Sequence, residues 1–551
     1  MPAQAPKVRT VILKAMLSSQ RLTLLAWGRE WGVPLFVSFS TYGLLWLAHA
    51  PRQSPESAYI FLLPVLAWFH FKPGYRKTII CLFISGWVYQ VAMVGWMRHV
   101  SPGGMWFATF LVSCYSLPWF FAARFLYERF STGDFISRFL VILGLSCFWV
   151  FIEWARTLFT LGFPWCPLSV TQWERPVILQ AAYFSGGWSV SFFLVFFNLC
   201  VGSYLHHILI RRRKAKGFIE RSICPDLYLG LLLLFFMVFP FFQNRSLNNN
   251  RDMDTLKVGI CQPYLLDKWE EGRASMHKDI LRRQTKFLSL LKPDLIIWPE
   301  ASSPYPLNLD RLWAEELSRE TQTPILAGSV IREKDTSYNA MVYLDPQSGM
   351  DSRWYAKQVL VPFGEYVPNP FAYIPGFRKL VGPVGNFLAG EHPHIFEFPL
   401  GGGDSRVNLR IGNLICYEDI FPYISRTTSE EDVDLLVVST NDAWFKEEGC
   451  AEQHAAHSVL RAVENGIPIV RCGNAGWSGW IDRMGIQREV LRNKEGSVYF
   501  QGAKVLEVKV PRRSDNDEFR VGDHFAHICG FLSLAIGLHV YFTHKKAAFN
   551  P

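Results

Sequence analysis

LYLGLLLLFFMVFPFFQNRSLNNNRDMDTLKVGIC, residues 227–261, holds the organisation of the whole chain in one passage. Leu227–Phe242 is an uncharged apolar run close to the length a bilayer asks of a spanning helix, about 20 residues. Asn244–Asp254 is polar and reads as a linker leaving the membrane. Leu256–Cys261 is a short, apolar, partly β-branched run and reads as a strand. A membrane part therefore gives way here to a soluble one.

Upstream lie six more candidate spans: Val33–His49, Ala58–Phe71, Thr78–Met97, Met105–Tyr127, Phe139–Phe159 and Ile178–Leu205. An eighth, His524–Phe542, follows the soluble part. Composition agrees: of 551 residues 50% are apolar, 15% aromatic and only 19% charged. That excludes a disordered chain and a collagen-like or disulfide-scaffold class. The eleven Cys form no C-x-x-C pair, so neither a zinc nor a redox motif is supported. The basic stretch to about Gly32 lacks a short apolar core with a small-residue cleavage site, so no removable signal peptide is expected.

The net charge of +9 points to orientation in a bilayer and not to nucleic acid. Lys7, Arg9, Lys14, Arg21 and Arg29, then Lys72–Lys77, Arg124–Arg138, Arg211–Arg221 and Lys545–Lys546 fall on one side of the expected bundle. Only Arg52, Arg98, Arg156 and Arg175 fall on the other. Positive-inside bias predicts both termini in the cytoplasm and the soluble part outside it. The expected division is a tail 1–32, a seven-span membrane domain 33–243, a linker 244–253, a soluble domain 254–510, a return linker 511–523, an eighth span 524–543 and a tail 544–551.

The soluble part alternates short strands (Leu256–Cys261, Leu295–Trp298, Ile325–Val330, Ala340–Leu344, Leu409–Cys416, Leu435–Thr440, Ile467–Arg471) with helical patterns at Arg273–Leu291, Leu309–Glu320 and Glu452–Asn465. That predicts a layered α/β fold. Three chemical groups stand at or just beyond strand ends, where open α/β sheets place ligands. They are Glu300 in Trp298-Pro299-Glu300, Lys357 in Tyr355-Ala356-Lys357, and Cys416 in Ile415-Cys416-Tyr417-Glu418. Singly, each has a bland reading as cap, surface charge or core filler. Together they supply a nucleophile, a base to take its proton and a cation for the charge that develops.

These motifs, with Leu360-Val361-Pro362-Phe363-Gly364-Glu365 between them, resemble the nitrilase (carbon–nitrogen hydrolase) superfamily. With the membrane spans they resemble one branch, the bacterial apolipoprotein N-acyltransferases. The resemblance extends through Gly162–Trp165, Asn441–Phe445, Gln453-His454, Arg461, Asn474-x-Gly476 and Arg520–Asp523. It implies an αββα sandwich inserted between spans seven and eight, with Glu300 as general base, Lys357 as oxyanion-side cation and Cys416 as nucleophile. Glu365 would be a second carboxylate of the site, and Glu418 and Trp444 would line or orient it. Asn474–Trp480 is more aromatic than the family's run, and Gly382–Gly390 and Gly401–Asp404 fall outside its pattern.

The resemblance further implies a multi-pass enzyme of the bacterial inner membrane, with its catalytic domain in the periplasm. A phospholipid would be the acyl donor and a diacylglyceryl lipoprotein the acceptor. The expectation includes no cofactor, no metal, no nucleic acid and a monomer. His454 and His457, three apart on an expected helix, have metal-ligand spacing but no third ligand nearby in sequence. Glu153 inside an apolar run is either functional or paired with Arg156. Loops at Pro304–Leu309, Phe371–Val384 and Trp444–Cys450 are expected to rim a membrane-facing opening. Two rival readings are a membrane-tethered amidase or nitrilase acting on a small C–N substrate, and a polytopic protein with an inert nitrilase-like ectodomain.

Overall fold

The computed structural model describes residues 28–52, 54–158, 163–214, 217–218, 222–249, 253–266, 272–369, 371–374, 386–400, 407–511 and 522–549. Most of the tail 1–32, Gly401–Asp404, Gly162, Arg520-Val521 and the greater part of 375–390 lie outside these. Among the described residues seven helices are long and apolar enough to cross a membrane. They are α1 (Val33–Ala48, with a preceding turn from Gly28), α3 (Tyr75–Val94), α4 (Pro102–Thr132), α5 (Phe135–Leu158), α6 (Gly187–His206), α7 (Pro225–Asn249) and α12 (His524–Phe549).

The expected span Ala58–Phe71 is not among them. Pro55–Tyr59 is a 3₁₀ turn and α2 covers only Leu63–Phe69. Pro64 lacks a backbone N–H, so the helix starts afresh there instead of continuing from Pro55. The break leaves polar backbone inside the bundle, and Asn198 of α6 satisfies it. Its Nδ2 donates to Ala58 O (2.8 Å) and its Oδ1 accepts from Leu62 N–H (3.0 Å). The run still joins the two ends of the bundle. Gln172 donates to Pro55 O at the end facing the soluble domain. At the other end Lys72 pairs with Glu128, and Arg124 donates to Pro73 O.

Two other boundaries shift. Ile178–Leu205 is not one span, because Gly186 at φ +67° separates short turns from α6. Residues 163–186 instead form a layer against the soluble domain, with Gln180 donating to Met484 O and Trp165 Nε1 to Gln453. Of the expected linker Asn244–Asp254, the first six residues are helical and the last two are strand. α7 runs to Asn249 and β1 opens at Met253.

The soluble domain is two six-stranded sheets. One has the order β12-β1-β2-β3-β4-β5: Gly502–Pro511, Met253–Gln262, Leu295–Trp298, Ile325–Glu333, Thr336–Asp345 and Gly349–Ala356. The other has the order β11-β10-β9-β8-β7-β6: Gln487–Val490, Gly479–Ile481, Ile469–Gly473, Leu435–Thr440, Val407–Ile415 and Phe396–Leu400. β2 and β8 are buried along their whole length, as parallel central strands are. The sheets pack face to face through Val258, Ile297, Leu326, Ile411, Val437 and Val470. Helices α8 (Ala274–Ser289) and α9 (Leu312–Thr321) cover one outer face. Helices α10 (Pro422–Glu430) and α11 (Cys450–Asn465) cover the other. α11 shares a single apolar core with the membrane helices, since Leu460 and Val463 belong to the same cluster as Leu179 and Phe193.

Replacing Asn198 with Leu should leave the Ala58 carbonyl and the Leu62 N–H unpaired in the bundle. The expected cost is about 1–3 kcal/mol per orphaned group, read as a lower midpoint of thermal unfolding in detergent. An unchanged midpoint would show that the break is satisfied some other way.

Candidate active site

Glu300, Lys357 and Cys416 come from three strand ends on one rim of the sandwich: β2, β5 and β7. Glu300 sits just past Pro299, where β3 approaches closely. A Cβ on Gly328 would lie 2.2 Å from Pro299 O, so only glycine allows the approach. Cys416 ends β7 in a left-handed conformation, φ +51°, the start of a short helical turn. A non-glycine residue stays there only when its surroundings hold it.

Lys357 is 1% exposed and its ammonium lies between two carboxylates. Nζ is 3.4 Å from Glu300 Oε1 and 3.0 Å from Glu365 Oε1. Burial alone would depress its pKa, yet the charges of Glu365 and Glu300 outweigh burial and raise it above the usual lysine range. The ammonium therefore stays charged. Asn339 of β4, which the sequence reading passed over, donates one amide to both carboxylates, at 2.8 Å to Glu300 and 3.0 Å to Glu365. Its main-chain carbonyl accepts from Lys357 N–H at 2.8 Å. No motif marks it; only the pairing of β4 beside β5 brings it in.

Cys416 is half-buried. Burial first, then the Glu300 charge, push its thiol up, against the pull of Lys357. At neutral pH it rests as a thiol, so a nucleophile here has to lose its proton as it attacks.

Glu365 also accepts from Val361 N–H through Oε2 (2.7 Å), which ties the turn around Phe363 to the site. Glu418 is fully buried and joins two strand ends. It accepts from Tyr355 OH (2.7 Å) and from the N–H groups of Ile415 (2.6 Å), Gln358 (2.5 Å) and Val359 (3.1 Å). Burial raises its pKa to about 7 even so. Trp444 is 50% exposed, and Phe445 is the neighbour that lines the cavity beside Cys416.

That cavity has a volume of about 160 Å³ and is walled almost wholly by apolar groups. Cys416, Tyr417 and the Val361–Gly364 turn form its soluble-domain side. Trp96, Phe107 and Leu111, around the start of α4, form the other, with Phe163 and Trp165 between. Phe371 packs on both Phe107 and Phe363 at its edge. None of Pro304–Leu309 lines it; Leu307 is buried against β3, while Tyr305 and Leu309 are exposed away from the cavity wall.

Glu153 and Arg156 hold the floor together. Glu153 Oε1 accepts from Leu168 N–H and Trp149, and Arg156 donates to Phe163 O and Trp165 O. One His454 nitrogen, Cys416 Sγ and an Asp442 oxygen lie within 4.8 Å of one another, a metal-like cluster. Yet both nitrogens face acceptors, with Nδ1 2.9 Å from Asp442 Oδ1 and Nε2 3.1 Å from Cys416 O. An imidazole so engaged has no lone pair for an ion.

A thiol, two carboxylates and a buried ammonium on the rim of an αββα sandwich define a carbon–nitrogen hydrolase, here set against a membrane bundle. Residues 258–512 match the family model for carbon-nitrogen hydrolases, and residues 43–200 match that for the apolipoprotein N-acyltransferase N-terminal domain. The apolipoprotein N-acyltransferase of Geobacter metallireducens is 29% identical over 90% of this chain and 91% of its own. Apolipoprotein N-acyltransferase 1 of Treponema denticola is 26% identical over 74% of this chain and 78% of its own. A solved carbon–nitrogen hydrolase superfamily protein from Xanthomonas campestris matches at 18% identity and a TM-score of 0.34, over 47% of this chain and 91% of its own. The chain belongs to the bacterial apolipoprotein N-acyltransferase family of the nitrilase superfamily.

The Glu418 pKa sets a sign for stability. It is raised on folding, so its contribution is full below the unfolded value of about 4.5 and is lost as pH rises through about 7. Relative to Glu418→Gln, which cannot titrate, the native chain should lose up to about 3 kcal/mol between pH 5 and 8. Denaturation of both across that range checks it; a constant difference would count against a raised pKa.

Proposed function

We propose that this chain moves an acyl chain from a membrane phospholipid, through a thioester on Cys416, to the N-terminal α-amine of a diacylglyceryl-cysteine on an apolipoprotein. One observation carries the reading: Cys416 lies at the end of an apolar cavity whose opposite wall is made of membrane-helix residues. A phospholipid tail can reach the thiol without entering water. Each buried CH₂ is worth about 0.8 kcal/mol, so a site in bulk solvent would forfeit far more than a pocket returns.

Glu300 takes the thiol proton as sulfur attacks the ester carbonyl. The oxyanion forms beside the Lys357 ammonium, which is already charged and fixed and needs no reorganisation. Collapse expels the lysophospholipid alkoxide, which takes the proton from Glu300. In the second half the acceptor amine attacks the thioester, Glu300 removes its proton, and the thiolate leaves and is reprotonated. Glu365 and Asn339 hold Lys357 and Glu300 in register through both halves. No step calls for a cofactor. The site faces the periplasm, both termini the cytoplasm, and the chain works as a monomer in the inner membrane. The charge bias of the loops supports this orientation. A hydrolase for small amides would not need the membrane-walled cavity, and an inert ectodomain would not need the buried ammonium with its two carboxylates.

Cys416→Ala should abolish both the acyl-thioester formed with labelled phospholipid and the N-acylated lipopeptide, read by mass spectrometry. Glu300→Gln and Lys357→Ala should each lower the acylation rate by about a hundredfold or more, Glu300→Gln while the chain still accumulates. Product from the Ala variant would dismiss Cys416 as nucleophile. A topology reporter fused after Pro551 should report cytoplasm, and one placed near Gly402 the opposite side; the reverse pattern would invert the orientation.

A further inference from the structure

We propose that His454 is a positioning residue that holds the Cys416 main chain in its left-handed turn, and that it does so only as an imidazolium. The inference rests on Cys416 being the nucleophile. Three acceptors surround the ring. Nδ1 is 2.9 Å from Asp442 Oδ1, while Nε2 is 3.1 Å from Cys416 O and 2.8 Å from Asp419 Oδ1. A neutral imidazole would turn a lone pair on a carboxylate or on the Cys416 carbonyl. Only the doubly protonated ring satisfies both sides.

The charges around the ring agree. From β9, Arg471 pairs with Asp419 Oδ2 at 2.7 Å and lies 3.5 Å from Asp442 Oδ2. Ser458, one turn along α11, donates to Asp419 as well. His457, on the same helix, accepts from Cys166 N–H through Nε2, and burial keeps it neutral. Trp165 covers the remaining side, its ring centroid 5.4 Å away. Two buried aspartates thus face Arg471 and His454, and the set is neutral only when His454 is charged. Burial and Arg471 oppose protonation, but Asp419 and Asp442 prevail and lift the His454 pKa to about 9.

The consequence falls on the nucleophile. Cys416 at φ +51° stands in a region that non-glycine residues avoid. The N–H donated to its carbonyl is one of the contacts that keep it there. Without that donor the residue relaxes toward ordinary backbone, and the sulfur swings off the line to Glu300 and Lys357. His454 never accepts the thiol proton, because no nitrogen is free to do so. This differs from a cysteine–histidine base pair, in which losing the ring's proton would help.

The test is the burst of p-nitrophenol from the full chain in detergent with a p-nitrophenyl acyl ester, which needs no amine acceptor, from pH 6 to 10. The native burst rate should fall above pH about 9; Lys357, whose pKa is raised, stays charged there. His454→Gln, whose amide donates at every pH, should keep the rate within about tenfold and lose the alkaline fall. His454→Leu should lose about a hundredfold below pH 9, the scale of a misplacement of about 1 Å, and should converge on the native rate above it. A native profile flat to pH 10, a Gln variant that keeps the fall, or a Leu variant at full rate would each overturn the inference. So would losses in both variants that merely track lowered thermal midpoints. A burst from Cys416→Ala would overturn the nucleophile assignment itself, and with it the role assigned to His454.

Discussion

The ammonium of Lys357, sealed between Glu300 and Glu365, is the interaction on which the rest of the site depends. A buried charge with one partner removed is strongly destabilising, by about 3–5 kcal/mol. The protein therefore surrounds this one on all sides. Asn339 spans the two carboxylates, Val361 N–H binds Glu365, and Glu418 ties the Lys357 loop to the strand carrying Cys416. Three strand ends from two different sheets are locked to one another by charge and hydrogen bonds. The apolar turn Val361–Gly364, which walls the cavity, is fixed by the same carboxylate that fixes the lysine.

Much of this was legible in the chain, for a physical reason. An apolar strand that ends abruptly in a carboxylate or a thiol advertises its end, as Trp298-Pro299-Glu300 and Ile415-Cys416 do. Apolar runs of membrane length advertise themselves by composition. Where reading failed, composition was right and backbone chemistry intervened. Ala58–Phe71 is apolar enough for a span, but Pro64 restarts the helix. Ile178–Leu205 is one apolar run in which Gly186 makes a corner. Asn198 and Asn339 carry no motif, because their roles depend on what packs opposite them, which a linear pattern does not hold. Pro422–Glu430 is short, with Ile424 its one large aliphatic residue, and its buried face is completed by Ser425 and Thr428, which a search for apolar periodicity passes over.

The two halves are not joined by a hinge. Gln453 of α11 receives the indole N–H of both Trp96 and Trp165. Glu464 of the same helix accepts from Gly187 N–H, at the first turn of α6. Glu448 pairs with Arg98 and His99. Together with the shared apolar core, these contacts make helix α11 as much a part of the bundle as of the sandwich. The cavity wall facing Cys416 is thus set by packing to the same precision as the site itself. Rotation of one half on the other would break these contacts.

The position of α12 in the chain has a consequence for biosynthesis. The helix packs into α5, where Ile536 lies against Gly144 and Phe151 against Gly530. Glycines on both helices let the two backbones come close. A ribosome, however, delivers α12 only after every strand of the sandwich. Throughout that interval the face of α5 that will receive it is exposed to lipid, complete but unoccupied. The first helices can assemble as soon as they are made, whereas the final seam closes last, and a nascent chain stalled within the sandwich would be a bundle with one open side.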